Sequence, residues 1–245
     1  MKTADAVRLR EQPRELSRLF GSIAGGYDFA NHALSMGLDV YWRQVLVRSL
    51  HDVPPGMILD LAAGTFEVTR LLGRVYPERG ILAVDCCLPM LRKGLPRLRK
   101  AGARAAGPLR VLPLAGNAFS LPLADCSVAS VSLAFGLRNM QPRWQALAEI
   151  YRVLVPGGRL SVLEFGSSRP KSWLGLYNFY LSWVLPCLGG LLSGQRLAYE
   201  YLARSIADFP VAAELAREMG VAGFSRISYR RLSGGIVYLH SADKL

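Results

Sequence analysis

The chain has 245 residues, 51% hydrophobic and 20% charged, with a mass of 26.9 kDa and a mean hydropathy of +0.21; this is enough to bury one α/β-sized domain and excludes a mainly disordered state. Thirty lysines and arginines against eighteen acidic residues leave a formal charge of +12, which calls for an anionic partner: nucleic acid, an acidic lipid surface or a phosphate-bearing ligand. Four cysteines (Cys86, Cys87, Cys126, Cys187) without CxxC or Cys/His spacing point away from a disulfide framework and a zinc site, so a reducing compartment and no metal are expected.

Residues Met1 to Arg18 carry mixed charges without an apolar core, and secretion is not expected. The first fifty residues read as a helical cap. From Pro54-Pro55-Gly56 onward, short apolar runs alternate with helical stretches, the pattern of a parallel sheet covered by helices. Strands are expected at Met57–Leu61, Gly80–Asp85, Leu109–Leu114, Ser127–Ala134 and Arg159–Phe165, with helices at Val68–Val75, Met90–Lys100 (kinked or shortened by Pro96) and Arg143–Leu154, the last stopped by Pro156-Gly157-Gly158. Ser172 to Gln195 contains no charged residue; Asn178, Pro186 and Gly189-Gly190 weigh against a membrane span and for an apolar helical insertion over residues 166–210. A helix at Val211–Met219 and a hairpin of Ile227–Leu232 with Ile236–His240 close the chain. The expectation is a single domain over residues 1–245, with a core over 51–165, a C-terminal unit over 211–245, and a mainly parallel seven-stranded sheet with an antiparallel C-terminal edge and a helical lid.

In such a sheet, ligands gather beyond the carboxyl ends of the strands. There the first strand delivers Asp60 and a turn with Gly64 and Thr65, the second Asp85, and the third is followed by Asn117-Ala118. A glycine turn lets backbone approach a ligand at a helix N-terminus. A carboxylate closing strand two can accept both ribose hydroxyls, and an amide can read an adenine edge. Each feature alone has a structural explanation, Asp being a favoured N-cap; their order at successive strand ends points to a nucleotide-like cofactor.

These residues resemble class I methyltransferases that bind S-adenosylmethionine. Phe20-Gly-Ser-Ile-Ala-Gly-Gly-Tyr27-Asp28-Phe-Ala-Asn31, Phe135-Gly136-Leu137-Arg138-Asn139, the run Arg152 to Leu160, Leu163-Glu164-Phe165 and Ser233-Gly-Gly-Ile-Val237 are similar to the ubiquinone/menaquinone biosynthesis C-methyltransferases (UbiE/MenG type), from about Phe20 to His240. The resemblance implies a Rossmann-like class I fold and methyl transfer to a ring carbon of a reduced polyprenyl quinone such as demethylmenaquinol. It implies cofactor contacts from Asp60, Gly64, Thr65, Asp85, Asn117, Ala118 and Ala134, catalytic positions at Arg138 and Asn139, and substrate contacts from Tyr27, Asp28 and Asn31. Arginine stays protonated, so Arg138 is expected to stabilise a developing phenolate or orient a water rather than act as base. His32 reads as structural. Two departures stand out: Phe66 replaces a turn glycine and is expected to weaken cofactor binding or force the loop outward, and Ala134 stands where a serine is usual.

Cys86 to Ala124 lacks any acidic residue while Arg92, Lys93, Arg97, Arg99, Lys100, Arg104 and Arg110 supply seven positive charges. With a polyprenyl quinol as substrate, this stretch suits peripheral contact with an anionic membrane, and the uncharged segment suits a tunnel for the prenyl tail or an interfacial anchor. The expected location is cytoplasmic, at the inner face of the membrane, with a homodimer as the assembly and no nucleic acid partner. The competing readings are an RNA or other small-molecule methyltransferase, or a non-catalytic relative impaired through Phe66.

Overall fold

A computed structural model describes residues 35–102, 110–166 and 204–245, together with Gly21, His32 and Tyr201. Seven strands, β1 (Ile58–Leu61), β2 (Ile81–Asp85), β3 (Val111–Ala115), β4 (Val128–Ala134), β5 (Leu154–Phe165), β6 (Ser225–Leu232) and β7 (Val237–Asp243), form one sheet in the order β3-β2-β1-β4-β5-β7-β6. The first five are parallel; β7 pairs antiparallel with both β5 and β6. The expected architecture is therefore present, and the Rossmann-like sheet carries the antiparallel C-terminal hairpin.

The sequence explains the layering, because alternate residues of a strand face opposite sides. Leu59, Leu61, Leu82, Val84, Val131 and Leu133 pack with helices α4 (Arg143–Val153) and α5 (Ala212–Val221), through Leu147, Ile150, Leu215 and Met219. Ile58, Ile81 and Leu163 face the other way, onto helices α1 (Leu38–Arg48) and α2 (Glu67–Val75), through Trp42, Leu46, Val47 and Leu72. Helix α3 (Leu88–Gly102) adds Leu91 and Leu98 against Ala83.

Three expectations change. Within the first fifty residues, Leu38–Arg48 is a layer of the sandwich rather than a cap: Trp42, Leu46, Val47 and Leu50 are all buried. Pro96 does not shorten its helix, which runs on to Gly102. Pro156-Gly157-Gly158 does not separate helix from strand; β5 begins at Leu154, and pairing with β4 jumps from Val128↔Leu154 to Ser130↔Arg159. Gly157 takes φ +78°, and a Cβ on Gly158 would lie 2.9 Å from the Ala129 carbonyl oxygen, so glycine permits the bulge. Pro113 sits in β3, a strand at the sheet edge, where its missing N–H is tolerated. Tyr27, Asp28, Asn31 and the uncharged segment lie outside the described residues.

Candidate cofactor and active site

The strand order reverses between β1 and β4, so their following loops diverge and leave a crevice at the carboxyl edge. The two loops touch at its base: a Cβ on Gly136 would come within 2.6 Å of the Ala62 Cβ. Ala62, Phe66 and Phe135 all adopt positive φ here, at 59°, 68° and 56°, a backbone conformation that non-glycine residues adopt at a cost and that clusters at functional sites.

On the β2 side, Asp85 is fixed by backbone. The Gly64 N–H donates to Oδ2 at 2.8 Å and the Cys87 N–H to Oδ1 at 2.7 Å. Burial raises the Asp85 pKa above the usual carboxylate range, and the two N–H bonds pull in the other direction. A carboxylate offers about four lone-pair sites, so both oxygens retain capacity for a diol. Burial also pushes the neighbouring Cys86 thiol up to about 12, helped by the Asp85 charge. Gly64, at φ +53°, has among the described residues only the flexible Met90 Cε within 4 Å of an added Cβ, so these residues leave the turn open to close approach. Thr65, in the same turn, is buried.

Asp60 is placed differently from the expectation. It is buried in β1, accepting hydrogen bonds from Thr69 Oγ1 at 2.5 Å and Ser132 Oγ at 2.9 Å. Burial raises its pKa to about 6, against the lowering effect of those two hydroxyls. Its carboxyl ties β1 to β4 and α2, so its part in the cofactor turn is structural. Asn117 is exposed after β3, but its Oδ1 accepts the Phe119 N–H at 3.1 Å. The carbonyl shapes its own turn with one of its two lone pairs, so the exposed amide keeps both an acceptor and a donor to offer. Ala118 is buried beneath it, and Ala134 is half-buried at the end of β4.

Phe66 also departs from expectation. Its side chain is fully buried with Ala63, Ala83, Leu91 and Leu98, turned inward rather than forcing the loop out. The accommodation is Gly94 of α3, where a Cβ would meet Phe66 Cδ2 at 2.5 Å and Thr65 backbone atoms at 2.8 Å.

Beyond β4, Arg138 is not aimed outward. Its side chain is 2% exposed, and Nη1 donates to Glu164 Oε1 at 2.7 Å and to the Phe135 carbonyl at 2.5 Å. The Arg138 N–H donates to Glu164 Oε2 at 3.2 Å, and the guanidinium lies over the Phe165 ring. Arg138 therefore locks the turn to β5, and Asn139, half-buried like Phe135 at the other end of that motif, accepts a hydrogen bond from Tyr201 Oη at 3.0 Å. Glu164 and Tyr201 were not assigned roles from sequence; a carboxylate following the apolar Val162-Leu163 near the end of a buried strand was the available signal for Glu164. Trp42, Phe135 and Phe165 form an aromatic wall beside the turn, with ring centroids 4.8 to 6.4 Å apart. Among the described residues no cluster of His, Cys, Asp or Glu is arranged to hold a metal.

The profile of the ubiE/COQ5 methyltransferase family matches residues 7–244. The chain belongs to that family. It is 42% identical over 227 residues to the demethylmenaquinone methyltransferase of Thermus thermophilus, covering 92% of this chain and all of that one. It is 41% identical over 223 residues to the ubiquinone/menaquinone biosynthesis C-methyltransferase UbiE of Syntrophotalea carbinolica, covering 91% of each. Among solved structures it is similar in fold to a SAM dependent methyltransferase from Aquifex aeolicus (TM-score 0.59, 15% identity, 83% and 89% coverage) and to the [4+2]-cyclase SpnF (TM-score 0.67, 13% identity, 95% and 97% coverage). The cyclase shows that this fold hosts other chemistry, so function rests on the site and on family membership. Family membership gives a methyltransferase dependent on S-adenosylmethionine and acting on a small molecule.

The residues fit that cofactor. The glycine turn before α2 leaves room for backbone approach, Asp85 presents oriented oxygens where a ribose diol needs acceptors, and the Asn117 amide follows β3 as a donor to a base edge.

Proposed function

We propose that the chain transfers a methyl group from S-adenosylmethionine to a ring carbon of a reduced polyprenyl quinone precursor, demethylmenaquinol or its ubiquinone-pathway counterpart. The observation that carries this reading is similarity across nearly the whole chain to proteins named for that reaction. The half-buried rings of Phe135 and Phe165, backed by the buried Trp42, support it, since flat apolar surfaces suit a quinol ring.

S-adenosylmethionine supplies an electrophilic methyl group. The protein's part is to hold the ring carbon in line with that methyl, and orientation alone can contribute several kcal/mol to the barrier. Asp85 and the Gly64 turn bind the donor; Asn139, backed by Tyr201, orients the ring; the Arg138–Glu164 pair keeps the turn in place. The basic face of α3 supports a peripheral contact with the anionic membrane in which such a quinol resides. The test is incubation with labelled S-adenosylmethionine and a short-chain demethylmenaquinol. Label is expected in the extracted lipid; its absence with active, cofactor-binding protein overturns the assignment.

A further inference from the structure

Loss of a ring hydroxyl proton raises the electron density of the carbon that takes the methyl, so the reaction calls for a base at the carboxyl edge. Among the described residues, most titratable groups there are committed. Asp60 holds Thr69 and Ser132, Asp85 holds the Gly64 and Cys87 amides, Glu164 holds Arg138, and the Cys86 thiol stays protonated at ordinary pH. His240 is buried against the Ala212 carbonyl.

His32 stands apart from these. Its side chain is 57% exposed, and Nδ1 lies 2.9 Å from Asp39 Oδ1. Asp39, 8% exposed in the first turn of α1, also accepts Ser35 Oγ at 2.9 Å and pairs with Arg43. Burial would raise its pKa, but Arg43, Ser35 and His32 together hold it below the usual carboxylate range. An ionised Asp39 takes the Nδ1 proton as its hydrogen-bond donor, which leaves the lone pair on Nε2. The cluster is joined to the active edge through Arg43, which pairs with Asp39 and lies 5.8 Å over the ring of Phe135, the first residue past β4; the adjacent Trp42 packs on both Phe135 and Phe165.

We propose that His32 is the general base, receiving the quinol hydroxyl proton at Nε2 while Asp39 holds Nδ1; this rests on the quinol reading above. The O–H bond breaks with its proton passing to Nε2, and the electron pair left on oxygen is delocalised to the neighbouring ring carbon. That carbon bonds to the methyl as the methyl–sulfur bond breaks, its electrons returning to the neutral thioether. The C–H bond at the same carbon then breaks, its electrons restore the aromatic ring, its proton goes to water, and Nε2 returns the first proton to the ring oxygen. One proton is released overall.

Among the described residues, the charged group set against His32 is Asp39, which pairs in turn with Arg43; the acid limb of kcat/KM should report the base. Because His32 is exposed, His32→Gln should fold and bind S-adenosylmethionine as the wild type does, while kcat falls about 100-fold or more and the acid limb disappears. In His32→Ala, added imidazole should restore part of the rate. The chain has three histidines, so proton NMR gives a readout independent of turnover: a redox-stable hydroxynaphthalene should shift the resonance that His32→Gln removes and leave that of His51 in place. Wild-type turnover with an unaltered pH profile in His32→Gln, or no rescue by imidazole, overturns the base assignment alone. A wild type that binds cofactor but does not methylate the quinol overturns the quinone reading and the base with it.

Discussion

Asp60 and Asp85 end neighbouring strands, yet their surroundings give them different work. Asp85 keeps acceptor capacity toward the crevice, so Asp85→Ala should weaken S-adenosylmethionine binding at least tenfold and abolish turnover in a folded protein; unchanged affinity by calorimetry refutes the ribose contact. Burial pushes the Asp60 carboxyl up to about 6 in the folded protein, above the usual carboxylate range of the unfolded chain, about 3.9. The folded state therefore holds a proton that the unfolded chain has lost between those values, and the associated stability is present at low pH and lost as pH rises through about 6. Asp60→Asn removes that dependence, so its unfolding free energy relative to wild type should rise on going from pH 4 to pH 7.5, by on the order of 3 kcal/mol; denaturant titrations at the two pH values measure it, and a parallel shift in both proteins overturns the assignment. The place of Asp85 was legible in the sequence, because it closes the apolar run of strand two. The role of Asp60 was not, because its partners are Thr69, one helix on, and Ser132, its register neighbour on β4.

At the level of elements, the strands of the sheet were legible from apolar runs bounded by Gly and Pro, since burial on both faces leaves few polar interruptions. Packing between helices was less so. Leu38–Arg48 read as part of a cap because it precedes the alternating pattern, although Trp42, Leu46 and Val47 fall on one helical face. Phe66 read as a defect in the cofactor turn because its counterpart lies 28 residues away, at Gly94. The pair makes a sharp prediction. Gly94→Ala places a methyl against both the Phe66 ring and the Thr65 backbone, and overpacking of this kind costs about 1–3 kcal/mol. Adding Phe66→Leu should recover only part of that loss, because the Thr65 contact remains. Urea titrations test the order; full recovery in the double variant shows that the ring alone governs the fit.

For the whole molecule, part of the +12 charge has a place on one flank. Arg92, Arg99 and Lys100 are exposed on α3, and the same flank of the sheet leaves Leu88 and Leu112 outward, at 42% and 58% exposure. Among the described residues no helix is long and apolar enough to cross a membrane; under the proposed quinol reading, this basic flank is the surface offered to an anionic leaflet. A basic side chain near an anionic leaflet is worth about 1 kcal/mol, and the attraction decays within a Debye length. Vesicles containing phosphatidylglycerol should therefore co-sediment the protein at low salt, and neutral phosphatidylcholine vesicles or 0.5 M salt should release it. Replacing Arg92, Arg99 and Lys100 together with glutamine removes about 3 kcal/mol and should lower the partition coefficient roughly a hundredfold. Activity on a water-soluble short-chain quinol should be unchanged, because none of the three lies in the cofactor turn or the aromatic wall. Equal binding to neutral and anionic vesicles, or no effect of the triple substitution, would place the membrane contact elsewhere on the chain.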